Sequence, residues 1–162
     1  MKDTLLVYYS LEGNTGFAAQ VAADTAEMDV QRLIPDKEPP KNGFGKFMWG
    51  GKSVVFHEIP KLDPQEFSPA GYKNIILAFP VWASSYPPAI AAFLKENDLS
   101  GKDIWAIICS ASGDARKALA KLEKKLPGCR IVDSLSLTDP AKDKEKNREP
   151  IRSFISKNFG NG

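Results

Sequence analysis

The sequence predicts an α/β domain built on a doubly wound parallel sheet. Three observations predict it: five short apolar, β-branched or aromatic runs recur along the chain, helical patterns fall between them, and three of the runs are almost wholly apolar. That spacing is the one a sheet made of βα units produces. A strand apolar along its whole length must be covered on both faces. At 162 residues the chain has the size of one domain spanning residues 1–162, long enough to bury most of its unfolded surface around a single core.

The elements follow in the order βαβαβαβαβα. Strands are expected over residues 4–9, 30–34, 74–79, 104–109 and 131–137. Phe17, Val21 and Ala22 mark one face of the first helix, and Ile90, Phe93 and Leu94 mark a second helix after the start Pro87-Pro88. Ala118, Leu119, Leu122 and Leu126 give a third stripe, and Ile151, Phe154, Ile155 and Phe159 give the last. Pro150 is expected in the first turn of that last helix, where a missing N–H does no harm. Residues 35–72 are irregular, broken by Pro35, Pro39, Pro40, Gly43, Gly45, Gly50, Gly51, Pro60 and Pro64. One helix, 46–56, is expected inside this excursion, which is long enough to cover an edge of a site.

Composition narrows the function. With 43% hydrophobic and 26% charged residues, and no apolar run near the roughly 20 residues of a membrane span, the chain is not expected in a membrane. Met1-Lys2-Asp3-Thr4 leads directly into Leu5-Leu6-Val7-Tyr8-Tyr9 with no signal-peptide pattern, so a cytoplasmic location is expected. The 22 basic and 20 acidic residues are spread along the chain, and the denser basic stretch of Lys142, Lys144, Lys146 and Arg148 is interleaved with acids, so no nucleic-acid partner is expected. Cys109 and Cys129 form no CxxC pair and stand in no metal-ligand spacing, so no metal is expected.

The chemistry concentrates in the loop after the first strand, Ser10-Leu11-Glu12-Gly13-Asn14-Thr15. Hydroxyl, glycine and amide residues between a buried strand and a helix start offer backbone N–H groups, hydroxyl donors and the positive end of a helix dipole. That combination binds phosphate. The same residues also suit a plain helix cap and turn, and the loop by itself leaves both readings open. The segment resembles the flavodoxin phosphate loop, T/S-x-T-G-N-T, at Ser10, the free position Leu11, Gly13, Asn14 and Thr15. Glu12 departs from it, standing where the family has threonine. A carboxylate aimed at a phosphate dianion in a partly desolvated site is repelled by several kcal/mol, on the order that Coulomb's law gives, so the Glu12 side chain is expected to turn outward and leave its backbone N–H to the ligand.

The resemblance implies a flavodoxin-like five-stranded sheet of order 2-1-3-4-5 with non-covalently bound FMN, and two further loops fit it. After the third strand, Pro80, Val81, Trp82 and Ala83 stand where the family places a tryptophan against the flavin, a flat ring that takes an aromatic stacking partner. After the fourth, Ser110, Ala111, Ser112, Gly113 and Asp114 stand where the family contacts the pyrimidine edge with its backbone. The tyrosine that covers the second flavin face in typical members is missing from this loop. One face is therefore expected to be open to a substrate or partner, unless Tyr86 or an aromatic of the excursion such as Trp49 fills it.

The resemblance implies electron transfer through the flavin, to a redox partner protein or a small-molecule acceptor. Single-electron carriers of the family use a backbone carbonyl that turns toward the flavin, a motion eased by a following glycine, which can adopt positive φ. Here Trp82 is followed by Ala83, so a weaker turn and a less stable half-reduced flavin are expected. Such carriers are also strongly acidic, whereas this chain has a net charge of +2 and a pI of about 8.5. An FMN-dependent NAD(P)H oxidoreductase of the quinone-reductase type is the alternative, with no protein acid or base required because the cofactor carries the chemistry. A flavin-binding module without turnover is a third reading.

Other constellations are weaker. A receiver domain needs aspartates where Ser10 and Pro80 stand. Gly50-Gly51-Lys52-Ser53 imitates the end of a P-loop, but its upstream glycine would fall on Lys46. A low-molecular-weight phosphatase needs a cysteine in the first loop, which has none. His57 has no nucleophile or carboxylate to work with, and the two cysteines read as buried structural thiols, with Cys109 close to the flavin loop.

Overall fold

The computed structural model of the chain describes residues 2–38 and 59–160. The expected helix 46–56, together with Trp49, His57 and the Gly50-Gly51-Lys52-Ser53 segment, lies outside the described residues. Strand β1 (Thr4–Tyr8) is followed by helix α1 (Asn14–Thr25) and β2 (Asp29–Arg32). A short 3-10 turn (Pro69–Gly71) precedes β3 (Asn74–Pro80), and then come α2 (Pro88–Glu96), β4 (Asp103–Ser110), α3 (Arg116–Lys125), β5 (Arg130–Thr138) and α4 (Lys144–Phe159).

All pairings are parallel and the sheet order is β2-β1-β3-β4-β5, the order expected for a flavodoxin-like sheet. The order reverses between β1 and β3, so the loops after these strands diverge and leave a crevice at the carboxyl edge of the sheet. Alternation along the central strands splits the core into two layers. Leu5, Val7, Ile75, Leu77, Phe79, Ile104 and Ile108 face α2 and α3, where Ile90, Phe93, Ala118 and Leu122 pack on them. Leu6, Ile76, Ala78, Trp105 and Ile107 face α1 and α4, meeting Ala18, Val21, Ile151 and Ile155. Burying each large side chain of this kind contributes about 1.5–3 kcal/mol, so the three central strands are held from both sides.

The edge strand β5 behaves differently. A bulge opposite Ile104 and Trp105 skips Val132, which is exposed, and beyond it Leu135 and Leu137 point into the α1–α4 layer. Among the described residues no helix is long and apolar enough to cross a membrane.

Pro150 does not stand in the first turn. Helix α4 starts at Lys144, capped by the Asp143 carboxylate, which accepts from the Lys146 N–H at 3.1 Å, and Pro150 falls inside the helix. The proline removes one helical N–H bond and crowds the carbonyl four residues back. The contacts of Ile151, Phe154 and Ile155 with the sheet hold the helix together across it.

Candidate active site

Tyr9 ends the β1 run with its N–H on the Ala78 carbonyl (3.1 Å), and the chain then turns sharply into α1. Gly13 makes the turn at φ 100°, a conformation that disfavours any side chain. The Ser10 hydroxyl oxygen accepts the Gly13 N–H at 3.2 Å, which leaves the Ser10 hydroxyl hydrogen free to donate. The helix then begins at Asn14, so the first N–H groups of α1 have no partner within the helix and point toward the loop. The helix starts without a side-chain cap, since Gly13 occupies the cap position.

These residues border a cleft of about 280 Å³ at the carboxyl edge of β1, β3 and β4. Ser10, Leu11, Glu12, Asn14 and Thr15 form one wall, Pro80, Val81, Trp82 and Ala83 a second, and Ser110 and Ala111 a third. Three loops that the sequence nominated separately thus share one cavity. The hydroxyls of Thr15 and Ser110 are buried in it without a hydrogen-bond partner among the described residues. A buried, unsatisfied hydroxyl is costly in free energy unless something fills the site and bonds to it. Glu12 is exposed and borders the cleft.

Among the described residues Trp82 is the only aromatic in the lining. Its N–H donates to the Ser85 carbonyl and its own carbonyl accepts the Ser85 N–H, both at 2.9 Å, closing a two-residue turn. Ala83 and Ser84 take φ 48° and φ 58°, the left-handed pair of a type I′ turn, with no glycine to relieve it. Such a residue is held there by its surroundings at a cost of about 1–2 kcal/mol. Tyr86 packs edge-on against Phe79, ring centroids 6.5 Å apart, and does not line the cleft.

Not every nominated residue joins this cavity. Ser112, Gly113 and Asp114 turn toward β5 and border a separate depression with Ser134, Ser136 and Arg116. The Gly113 carbonyl accepts the Ser136 hydroxyl at 2.9 Å, and a Cβ on Gly113 would stand 2.7 Å from the Thr138 hydroxyl. Arg116 hydrogen-bonds the Asp114 carboxylate at 3.1 Å and holds its pKa down to about 2. Gly13 shapes the first loop from outside the lining.

Two residues of the lining were not nominated, Cys109 and Asp139. Cys109 pairs with Pro80 in the sheet, and burial pushes its thiol up to about 11, so it stands in the cleft floor as a neutral thiol. Cys129 remains structural, half-buried with its thiol directed at the Leu99 carbonyl (3.0 Å). Asp139 follows β5 at φ 37°, its N–H on the Ser110 carbonyl at 3.1 Å. Its carboxylate accepts from the Asn14 amide at 3.5 Å and from Lys142 at 2.8 Å, while the Asn14 amide oxygen accepts the Ala141 N–H at 2.9 Å. Asn14 therefore ties the first loop to the chain leaving the last strand. The strand-end position of Asp139 was the only sequence signal for it.

Comparisons with known proteins agree with this geometry. The family model described as flavodoxin matches residues 3–149. A candidate flavoprotein from Bacteroides uniformis ATCC 8492 superposes with a TM-score of 0.76 at 25% identity, over 96% of this chain and 98% of that one. Another, from Bacteroides eggerthii DSM 20697, gives 0.75 at 18% over the full length of both chains. A flavoprotein from Lactobacillus acidophilus NCFM, solved in complex with FMN, gives 0.69 at 13% over 90% of this chain and 98% of that one. No curated protein matches the sequence. With its family model covering most of the chain and its sheet wound in the family's order, this chain belongs to the flavodoxin family.

Proposed function

We propose that this protein binds FMN non-covalently in the cleft and passes electrons through it. The observation that carries the reading is the meeting of two unpartnered buried hydroxyls, Thr15 and Ser110, with the open start of α1 and with Trp82 in one cavity. The residues fit the group. Ser10, Thr15 and the first amides of α1 suit a phosphate, and Trp82 suits the face of a flat ring. When bound, FMN would supply the redox chemistry, while the chain orients it and shields it from water. The relative from Lactobacillus acidophilus holds FMN in the same fold, which supports the choice of ligand.

A purified protein that is yellow, with absorption bands near those of free flavin, or that becomes so on adding FMN, agrees with the proposal. A colourless protein that ignores added FMN overturns it.

A second reading, an FMN-dependent NAD(P)H oxidoreductase, is favoured by one observation. Among the described residues Trp82 is the only aromatic of the lining, and Ser110 and Ala111 of the loop after β4 are small. A ring stacked on Trp82 would thus meet no second aromatic among the described residues, leaving room for a nicotinamide or quinone. Stopped-flow mixing of the flavin-loaded protein with NADPH and NADH separates the two: rapid bleaching of the flavin favours the enzyme, and no bleaching favours the carrier served by a partner protein.

A further inference from the structure

The phosphate end of the cleft carries an unusual charge arrangement. Glu12 and Asp139 both line it, and two carboxylates oppose a phosphate there. The start of α1 offers only about half an elementary positive charge in return. Among the described residues the Arg32 guanidinium donates to the Ser10 carbonyl at 3.3 Å, and the cation bonded to a lining carboxylate is Lys142, whose Nζ lies 2.8 Å from the Asp139 carboxylate, in the loop that Asn14 ties to the phosphate wall through the Ala141 N–H. We propose that Lys142 supplies the positive charge that lets this carboxylate-bearing loop hold a phosphate monoester. This rests on the reading of the cleft as a flavin phosphate site and extends it to the charge that selects the phosphorylated flavin.

Three features support the assignment. Lys142 is bonded to Asp139, a residue of the lining whose other carboxylate oxygen accepts from the Asn14 amide, so its ammonium stands one side chain away from the cleft. Its side chain is 77% exposed, and an exposed pair of this kind is held weakly, which leaves the ammonium able to turn from Asp139 to an incoming phosphate. Glu12 also acts on it: after the Asp139 hydrogen bond and charge, the Glu12 charge favours the protonated amine in the same direction. Lys142 thus answers to both carboxylates. The threonine of the family pattern brings no charge to offset, whereas Glu12 does, so the cation belongs with the substitution at position 12.

The test titrates wild type, Lys142→Gln, Glu12→Thr and the double variant with FMN and with riboflavin, which lacks the phosphate. Thermal melts confirm that each variant is folded. Lys142→Gln is expected to weaken FMN on the order of ten-fold and to leave riboflavin unchanged. Glu12→Thr in the same chain is expected to recover most of that loss. The proposal is overturned if Lys142→Gln binds FMN as tightly as wild type, if it loses both flavins alike, or if Glu12→Thr leaves the loss undiminished. A wild type that takes up neither flavin removes the flavin reading and this one with it, while a wild type that binds riboflavin as tightly as FMN removes this one alone.

Discussion

Tyr9 and Trp82 meet edge to face, with ring centroids 5.4 Å apart and planes at 83°. The contact joins the residue before the phosphate loop to the loop after β3, so the two walls of the cleft brace each other through aromatic packing. Tyr9 is 1% exposed, whereas Trp82 lines the cleft. Replacing Trp82 with leucine is expected to weaken FMN and riboflavin alike, on the order of ten-fold, because the ring loses its stacking partner while the phosphate contacts stay. Quenching of flavin fluorescence on titration measures both. A loss confined to FMN would contradict the placement of the ring on Trp82.

The brace between Asn14 and the β5–α4 loop can be cut alone. Asn14→Ala removes the acceptor for the Ala141 N–H and the donor to Asp139. A lost hydrogen bond of this kind lowers stability by about 1 kcal/mol, a fall in Tm of roughly 2–4 °C for a chain of this size. Calorimetry reads the fall, and FMN affinity should drop with it, since the loop amides are no longer held in register. An unchanged melting temperature would show that the bridge carries no weight.

The alkaline limit of stability follows from buried phenols. Burial raises the Tyr9 hydroxyl far above the ordinary tyrosine value, and the Glu38 charge acts in the same direction. Burial and the hydrogen bond to Asp29 push Tyr72 up to about 12. Both groups bind their protons more tightly when the chain is folded, so their contribution is full below pH 10 and is lost as pH rises from 10 through the folded values. Burial raises Tyr86 as well, so absorbance of phenolate near 295 nm should show three of the four tyrosines titrating late, together with unfolding. Replacing Tyr9 and Tyr72 with phenylalanine should shift the alkaline unfolding midpoint upward.

The turn after Trp82 gives a redox prediction. Its carbonyl is held by the Ser85 N–H, and Ala83 already stands at φ 48°. Any rotation of that carbonyl must break a hydrogen bond worth about 0.5–1.5 kcal/mol and move a residue whose side chain limits its alternatives. Ala83→Gly should therefore raise the share of half-reduced flavin during photoreduction above that of wild type. Equal shares in the two proteins would show that the turn does not govern it.

The apolar runs made the sheet legible, because strands covered on both sides have no other composition open to them. Their ends were less so: β4 runs on to Ser110 through pairing with Thr138, a tertiary contact that leaves no local mark. Pro150 was misplaced for a similar reason. The first turns of α4, from Lys144 to Glu149, are polar and carry no apolar stripe, so the helix shows itself only from Ile151 onward. In the site, the first loop announced itself by composition and the second by its tryptophan. Ser112 to Asp114 turn away because Gly113 stands at φ 77° against β5, and Asp139 enters because the last strand delivers it. Both depend on how β5 docks, and the sequence around each residue is silent about that.

The hydrogen bond from Ala141 to Asn14 spans 127 residues of chain. A ribosome releases the first strand and its loop long before it makes the fifth, so the nascent chain carries the phosphate loop without the wall that completes it. Long-range closure of this kind is slow relative to local structure. Flavin cannot then serve as a template for early folding. On the proposed function it can only trap the finished molecule, deepening its stability with the logarithm of free flavin concentration, and colour acquired during synthesis would report the arrival of the last strand.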